Sequence, residues 1–261
     1  MSSATISSEE VKAFAGQAGV DCVGIAGAEA LQEQSIQGRG PVAVLPGARS
    51  VVIFGIAMLS ASLRTPNERI VSSDIKSIAG ELNTMGFRVA RFLERKGYDA
   101  LPCTPNLSLE LTRETRGMLG DISLKHAAVA AGLGTWGRDR LVVTPRWGPR
   151  VRFAAVVTTA PLAVDSALGE ELCNNCDLCI AACPSKAISE DNKVDTIKCL
   201  LQSQKYGRPH YFQFFSELFS KPPEEQQKAV RSPLFWNLMQ DVAMGGTYSC
   251  FKCLEVCPVG R

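Results

Sequence analysis

Eight of the ten cysteines in this chain of 261 residues fall in three places with the spacing of metal ligands. Cys173, Cys176, Cys179 and Cys183 form the run Cys-x2-Cys-x2-Cys-x3-Cys, closed by Pro184. Cys250, Cys253 and Cys257, followed by Pro258, make a second piece, and Cys199 stands alone between the two. Thiolates two residues apart lie on a tight loop and reach different irons of one [4Fe–4S] cube. The fourth, three residues on, begins a helical turn and points away, to the other cube of a two-cluster module. Two such clusters need eight ligands. The spacing therefore assigns Cys173, Cys176, Cys179 and Cys257 to one cluster, and Cys183, Cys199, Cys250 and Cys253 to the other. Zinc is the competing reading, because Cys-x2-Cys pairs also make zinc knuckles. Two interlocked Cys-Pro endings are not zinc-like. A disulfide framework fits less well still, since the cysteines crowd into one third of a chain with no secretory signal.

Two clusters in series conduct electrons; with all their irons held by thiolates they do little bond chemistry themselves. The roughly 165 residues ahead of them should hold the place where the electrons are used. That part has no cysteine pair: Cys22 and Cys103 stand singly and read as buried small hydrophobes. It follows that an organic cofactor is bound there, or that the chain is only a carrier. Composition allows a sizeable core, with 46% hydrophobic residues. The net charge of +2 is too small to argue for nucleic acid. The absence of a long apolar run or an apolar signal core predicts a cytoplasmic protein with no membrane contact.

The elements that must position these cysteines can be read from pattern. Ser7-x-x-Glu10 is a capping box, predicting a helix from Ser7 to Ala18. Val20 to Ala26 and Val51 to Ala57 read as strands, with a Pro46-Gly47 turn between them. Apolar residues at Ile75, Ile78, Leu82, Met85, Val89 and Leu93 mark a long amphipathic helix from Val71 to Lys96, ended by Gly97. A short strand at Ala100–Leu101 follows. Ser123 to Ala131 predicts another helix, capped by Asp121 or Ser123. Leu141 to Val143 and Val151 to Thr159 read as a β-hairpin across the turn at Thr144–Pro149. A domain boundary falls near Pro161 to Glu170. Beyond Cys199, Pro222-Pro223 divides about fifty residues into two helices.

Three features have two readings each. Gly132-Leu133-Gly134-Thr135-Trp136-Gly137 matches Gly-x-Gly-x-x-Gly, but it follows a helix and leads into a strand, the reverse of a dinucleotide fingerprint. Its glycines serve either a tight turn or a cofactor contact. Arg138, Arg140, Arg146, Arg150 and Arg152 make either a solvated edge or a contact with an anionic group. Tyr211, Phe212, Phe214, Phe215, Phe219, Phe235 and Trp236 either insulate the clusters and pack on the first domain, or form a partner-docking face.

Several segments resemble one superfamily, that of epoxyqueuosine reductase and the reductive dehalogenases. They are Leu45 to Val52, Ser123-Leu124-Lys125-His126-Ala127-Ala128-Val129-Ala130-Ala131-Gly132-Leu133-Gly134, the strand pair after it, Thr159 to Leu162, and the cysteine pattern with its isolated Cys199. The resemblance covers nearly the whole chain and is greatest to short, stand-alone members of the superfamily. It implies an α+β fold: a flavin-reductase-like (nitroreductase-like) cobalamin-binding domain over residues 1–165, then a ferredoxin-like dicluster domain over residues 166–261. It implies an oxidoreductase that uses two [4Fe–4S] clusters and cobalamin on a small-molecule substrate, served by an electron-donor protein of ferredoxin or flavodoxin type. Gly132, Leu133, Gly134, Trp136 and Gly137 become candidate cofactor contacts. Asp121 is a candidate proton donor or a simple helix cap, and Lys125 and His126 are the alternative donors. No Asp-x-His-x-x-Gly motif is present, so a bound corrinoid is expected base-off, without a protein His on the cobalt. The chain ends four residues after Cys257, where the tRNA-modifying relatives continue, which argues against tRNA. A flavin-dependent iron–sulfur reductase and a non-enzymatic electron carrier or corrinoid-reducing partner are the alternative functions.

Overall fold

The computed structural model describes residues 6–36, 38–103, 105, 119–244 and 250–261. Part of the leading polar segment, residues 1–5, lies outside them. Helix α1 (Ser8–Gln17) begins where the Ser7 hydroxyl accepts the Glu10 amide N–H at 3.1 Å. Strand β1 (Cys22–Gly27) runs into α2 (Ala28–Glu33), and the short α3 (Pro41–Val44) leads to β2 (Ser50–Ala57). A short α4 (Ser60–Arg64) precedes α5 (Glu68–Arg95), which stops beside Gly97 at φ +89°. Strand β3 (Ala100–Cys103), helix α6 (Leu124–Ala130), the two-residue strands β4 (Thr135–Trp136) and β5 (Val142–Val143), and β6 (Val151–Thr158) complete this part.

The main sheet has strand order β1-β2-β6-β3, with every neighbour antiparallel. Side chains alternate between its faces with period two. Ile25, Val52, Phe54, Ala154 and Val156 join Val11 and Ala15 of α1 and Leu82, Val89 and Leu93 of α5 in one core. Val51, Ile53, Ala155 and Val157 join Ala28 and Leu31 of α2 and Ala127, Ala128 and Ala131 of α6 in the other. Helices cover both faces, so β2 and β6 read as unbroken apolar runs rather than alternating ones. Antiparallel pairing with helices stacked on both sides makes the architecture α+β.

The expected hairpin between Leu141–Val143 and β6 does not form. Arg140, at φ 58°, takes a left-handed turn within residues 137–141, closed by the Gly137 N–H on the Leu141 carbonyl at 2.8 Å. That turn folds β5 back on β4 in a separate two-stranded sheet. Strand β6 instead pairs along its whole length with β2; two residues of β5 could not satisfy eight residues of backbone.

The cysteine-rich part holds α7 (Leu178–Ala181), α8 (Thr196–Ser203), α9 (Arg208–Phe219), α10 (Pro223–Ala229), α11 (Pro233–Met244) and α12 (Lys252–Val256). Among the described residues three helices, not two, lie between α8 and Cys250. Pro222 and Pro223 open α10 rather than merely separating its neighbours, because proline fits the first helical turn, where an N–H has no acceptor. Phe212, Phe219 and Trp236 are 66%, 76% and 63% exposed, so these three do not insulate anything; Tyr211, Phe214, Phe215 and Phe235 pack among one another. The segment around α12 returns to the first part of the chain, where Phe251 and Leu254 are buried in the core shared by α1 and α5. No helix among the described residues is long and apolar enough to cross a membrane.

Candidate iron–sulfur centre and cleft

The loop from Cys173 to Cys179 wraps a void of ≈ 380 Å³, part of it open to solvent, whose walls include Cys173, Cys176, Cys179 and Cys257. Asn175 and Asp177 make the wrap possible. Both adopt left-handed backbone, at φ 55° and 61°, a conformation asparagine and aspartate tolerate better than other non-glycine residues. The other four cysteines gather elsewhere: Cys183 and Cys250 are electrostatic neighbours of Cys199, and Cys199 and Cys250 of Cys253. Four thiols thus share one void, and the other four are grouped by their mutual electrostatic influence.

Each set is positioned by local sequence. Asp195 caps α8 by accepting the Ile197 and Lys198 N–H groups at 3.1 and 3.0 Å, which fixes Cys199 in the second half-turn. The Thr135 hydroxyl accepts the Leu172 N–H at 2.9 Å and ties the start of the Cys173 loop to β4. Arg138 donates to the Glu190 carbonyl at 2.9 Å and pairs with Asp177 at 2.6 Å. Arg150, buried at the head of β6, donates to the carbonyls of Leu254 and Cys257 at 2.8 and 3.0 Å, and to that of Val259. Solvated-edge behaviour is therefore wrong for Arg138 and Arg150: both hold the cysteine-bearing segments to the sheet domain. Gly148 and Gly260 complete that joint, since a Cβ on Gly148 would strike the Val259 carbonyl.

The thiols are held in an environment that disfavours an unpartnered thiolate. Burial pushes Cys179 up to about 11 and pushes Cys199, Cys253 and Cys257 up as well, and neighbouring acidic groups add to it. Cys183 is the exception. Burial acts against its thiolate, but the Ala187 N–H at 3.2 Å and the Ser185 hydroxyl at 3.7 Å bring it below the ordinary value. Crowded thiols of this kind ionise together with a metal centre that neutralises them. Among the described residues no three His, Cys, Asp or Glu side chains converge as a single ion would require. A tetrahedral zinc with bonds of about 2.3 Å would draw its sulfurs to within ~4 Å of each other; a four-iron cube holds its thiolates at its outer corners, further apart.

A second space, a cleft of ≈ 2050 Å³ counting its open part, lies on the α6 face of the sheet. Leu31, Ile36, Val151 and Phe153 form apolar wall, and Arg39, Asp121, Lys125, His126 and Arg152 are its charged or titratable groups. Three of these, Asp121, Lys125 and His126, are the candidate proton donors of the sequence, and Arg152 belongs to its arginine cluster. Ser123, not Asp121, caps α6, accepting the His126 N–H. That leaves the Asp121 carboxylate free of a capping role, 3.7 Å from Arg39. Burial, and then Arg140, lower the Lys125 pKa, while Lys125 Nζ donates to the Arg140 carbonyl at 3.1 Å. Burial, Lys125 and Arg140 together lower that of His126. Its Nδ1 lies 2.7 Å from the Ser123 hydroxyl and its ring stands edge-on to Trp136. Cys199 is an electrostatic neighbour of Lys125, so this lysine lies between the cleft and the second set of thiols.

The glycine run sits elsewhere. Gly132 presses on the Ser166 carbonyl and Gly134 on that of Val143, so neither glycine, nor Leu133, nor Trp136 is among the described residues that wall the cleft. Trp136 stands one layer behind, under Arg140 at 4.7 Å. Gly137 borders the ≈ 380 Å³ void instead. Sequence reasoning missed Asp139, a buried carboxylate that also walls that void and is an electrostatic neighbour of cysteines in both sets. Burial raises it, opposed by the Leu141 N–H. It also missed Arg39 and the apolar wall from the α2–α3 region; no local spacing marks either.

Comparison with known proteins supports a 4Fe-4S site in the cysteine-rich part of the chain. Residues 168–189 match the family model of the 4Fe-4S binding domain. Tetrachloroethene reductive dehalogenase of Dehalobacter restrictus is 32% identical over 146 residues, covering 55% of this chain and 24% of that protein. Epoxyqueuosine reductase of Bacillus cereus is 22% identical over 274 residues, covering 97% of this chain and 64% of that protein. A crystal structure of selenomethionine-labelled epoxyqueuosine reductase superposes with a TM-score of 0.61 at 20% identity, over 97% of this chain and 65% of that one. The chain thus spans about a quarter of the dehalogenase and under two thirds of the epoxyqueuosine reductase. Its homologues are reductases of these two kinds, and its fold is theirs.

Proposed function

We propose that this chain is an iron–sulfur oxidoreductase whose two [4Fe–4S] clusters, one on Cys173, Cys176, Cys179 and Cys257 and one on Cys183, Cys199, Cys250 and Cys253, feed a cobalamin in the cleft beside α6. The observation that carries this reading is the gathering of Cys173, Cys176, Cys179 and Cys257 around one void, with Cys199 electrostatically linked to Lys125 in the wall of a cleft large enough for a macrocycle. The residues present fit both groups. The thiols need a cationic centre to ionise, and the cleft offers apolar wall with a few convergent polar groups, the usual make-up of a cofactor site. The sheet domain is read as the flavin-reductase-like part, and residues 166–261 as the dicluster part. When bound, a reduced corrinoid supplies a strong nucleophile and electron donor for a reductive step.

The chain's own residues do the rest. The Cys173 loop is the exposed side of the two-cluster module: Asn174, Asn175, Cys176, Asp177 and Leu178 all face solvent, which suits electron entry from a donor protein. Cys199 of the second set is an electrostatic neighbour of Lys125, a wall residue of the cleft, which suits delivery. Asp121, at the cleft rim beside Arg39, is placed to hand a proton to a small substrate. Lys125 is the alternative donor, and His126 a further one whose protonated form is disfavoured because burial and two cations hold its pKa down.

A second reading, an electron carrier or corrinoid-reducing partner, is favoured by the exposure of Phe212, Phe219 and Trp236. Anaerobic purification followed by iron, sulfide and cofactor analysis separates the two. About eight iron atoms per chain with a corrinoid bound, or taken up on incubation, are expected. Eight irons with no corrinoid at any concentration leaves the carrier, a yellow fluorescent extract substitutes a flavin, and well under eight irons in intact protein overturns the cluster assignment.

A further inference from the structure

Arg150 stands at the joint between the sheet domain and the segment that ends the second cysteine piece. Only 8% of it is exposed. Its guanidinium spends its donors on three carbonyls, those of Leu254 at 2.8 Å, Cys257 at 3.0 Å and Val259. These acceptors are neutral, so the bonds satisfy the fork without cancelling its charge. Arg150 is an electrostatic neighbour of Cys257 and binds that ligand's own carbonyl; toward the other set it reaches only the carbonyl of Leu254, the residue after Cys253. Gly148 and Gly260 pack backbone to backbone beside the fork, and a Cβ on Gly148 would meet both the Val259 carbonyl and the Arg150 guanidinium.

We infer that Arg150 is a positioning residue for the cluster on Cys173, Cys176, Cys179 and Cys257, and that its charge raises the reduction potential of that cluster alone. The inference rests on the cluster assignment proposed above. Reduction adds one electron to a cube already held by four thiolates, so the reduced form carries one more negative charge. A buried cation reached through one ligand's own carbonyl favours that form over the oxidised one, and weak screening inside the protein preserves the effect. The same fork fixes where the Cys257 sulfur sits, since its carbonyl cannot move without breaking two further bonds.

The test uses the full chain, purified anaerobically, with each cluster's potential read by dithionite titration under electron paramagnetic resonance. Cys257→Ser and Cys199→Ser variants identify which signal belongs to which cluster. In Arg150→Gln the Cys257 cluster is expected to fall in potential, or to lose its iron, while the Cys199 cluster keeps both. Arg150→Lys keeps the charge but cannot span three carbonyls, so it should restore the potential in the fraction that retains iron. Equal shifts in both clusters, or none with all iron in place, overturn the inference. So does a potential that Arg150→Lys fails to restore. Should Arg150→Gln not fold, Arg150→Lys decides alone: iron loss confined to the Cys257 cluster supports the inference, and unchanged or evenly shared iron overturns it. Wild-type protein with well under eight irons sinks the assignment itself, whatever Arg150 does.

Discussion

Leu254→Ala is the substitution that best separates a free-standing cluster module from one that helps build the sheet domain. Leu254 is 3% exposed and belongs to the core formed by α1, α5 and one face of the main sheet. It also sits between the ligand candidates Cys253 and Cys257. Truncation removes about three carbons from that core. At ~0.8 kcal/mol per buried methylene the transfer loss alone is about 2.4 kcal/mol, and the residual cavity raises the cost to ~3–4 kcal/mol. For a chain of this size that lowers the melting temperature by roughly 6–15 °C. The assay is anaerobic thermal unfolding followed by far-ultraviolet circular dichroism, which reports the sheet and its helices, with iron content measured in parallel. A sheet domain that melts within ~1 kcal/mol of wild type while iron is lost would refute the claim that this segment is part of its core.

Gly148→Ala, at φ +56° and with its new Cβ against the Val259 carbonyl, should cost about 1–3 kcal/mol and loosen iron, read by a thermal melt and an iron assay; an unchanged melt would contradict the joint described. Burial, helped by Asp121, pushes Cys103 up to about 12, so its thiol should resist iodoacetamide between pH 7 and 9 in the cluster-loaded protein; mass spectrometry showing rapid alkylation there would count against its place in the cleft wall. Lys125 has its pKa lowered in the folded chain, so its charge opposes folding below the folded pKa and the penalty disappears as pH rises toward the unfolded value of about 10.4. Lys125→Met should therefore be at least as stable as wild type at pH 7, lose the stability gain toward pH 10, and be impaired in reductive turnover; a large loss of stability at pH 7 would show the lysine to be structural.

Pattern and spacing reached furthest where the cause is local. The Ser7 cap, the apolar stripe of α5 and its glycine stop depend on residues a few positions apart, and so does the Asn- and Asp-assisted cysteine loop. The close spacing of Cys173, Cys176 and Cys179, which share one void, is local in the same sense. What escaped is long-range. Nothing near β6 says that its partner is β2, about a hundred residues earlier, and the nearby β5 offered a deceptively close alternative. Arg150 looked like one arginine among five; only the folded chain shows three carbonyls converging on it. The cleft wall likewise draws on residues from α2 to β6, a grouping that no single window of sequence contains. Exposure of Phe212 and Trp236 was equally hidden, since an aromatic stripe at helical spacing looks the same whether or not another element covers it.

The return of Phe251 and Leu254 to the core has a consequence in time. Arg150 and Leu254 are 104 positions apart, so a ribosome must add about a hundred residues after β6 begins before that core can be filled. Until then that core lacks Phe251 and Leu254. The last segment of this chain therefore seals a core most of whose other members, from α1 to β6, are made long before it.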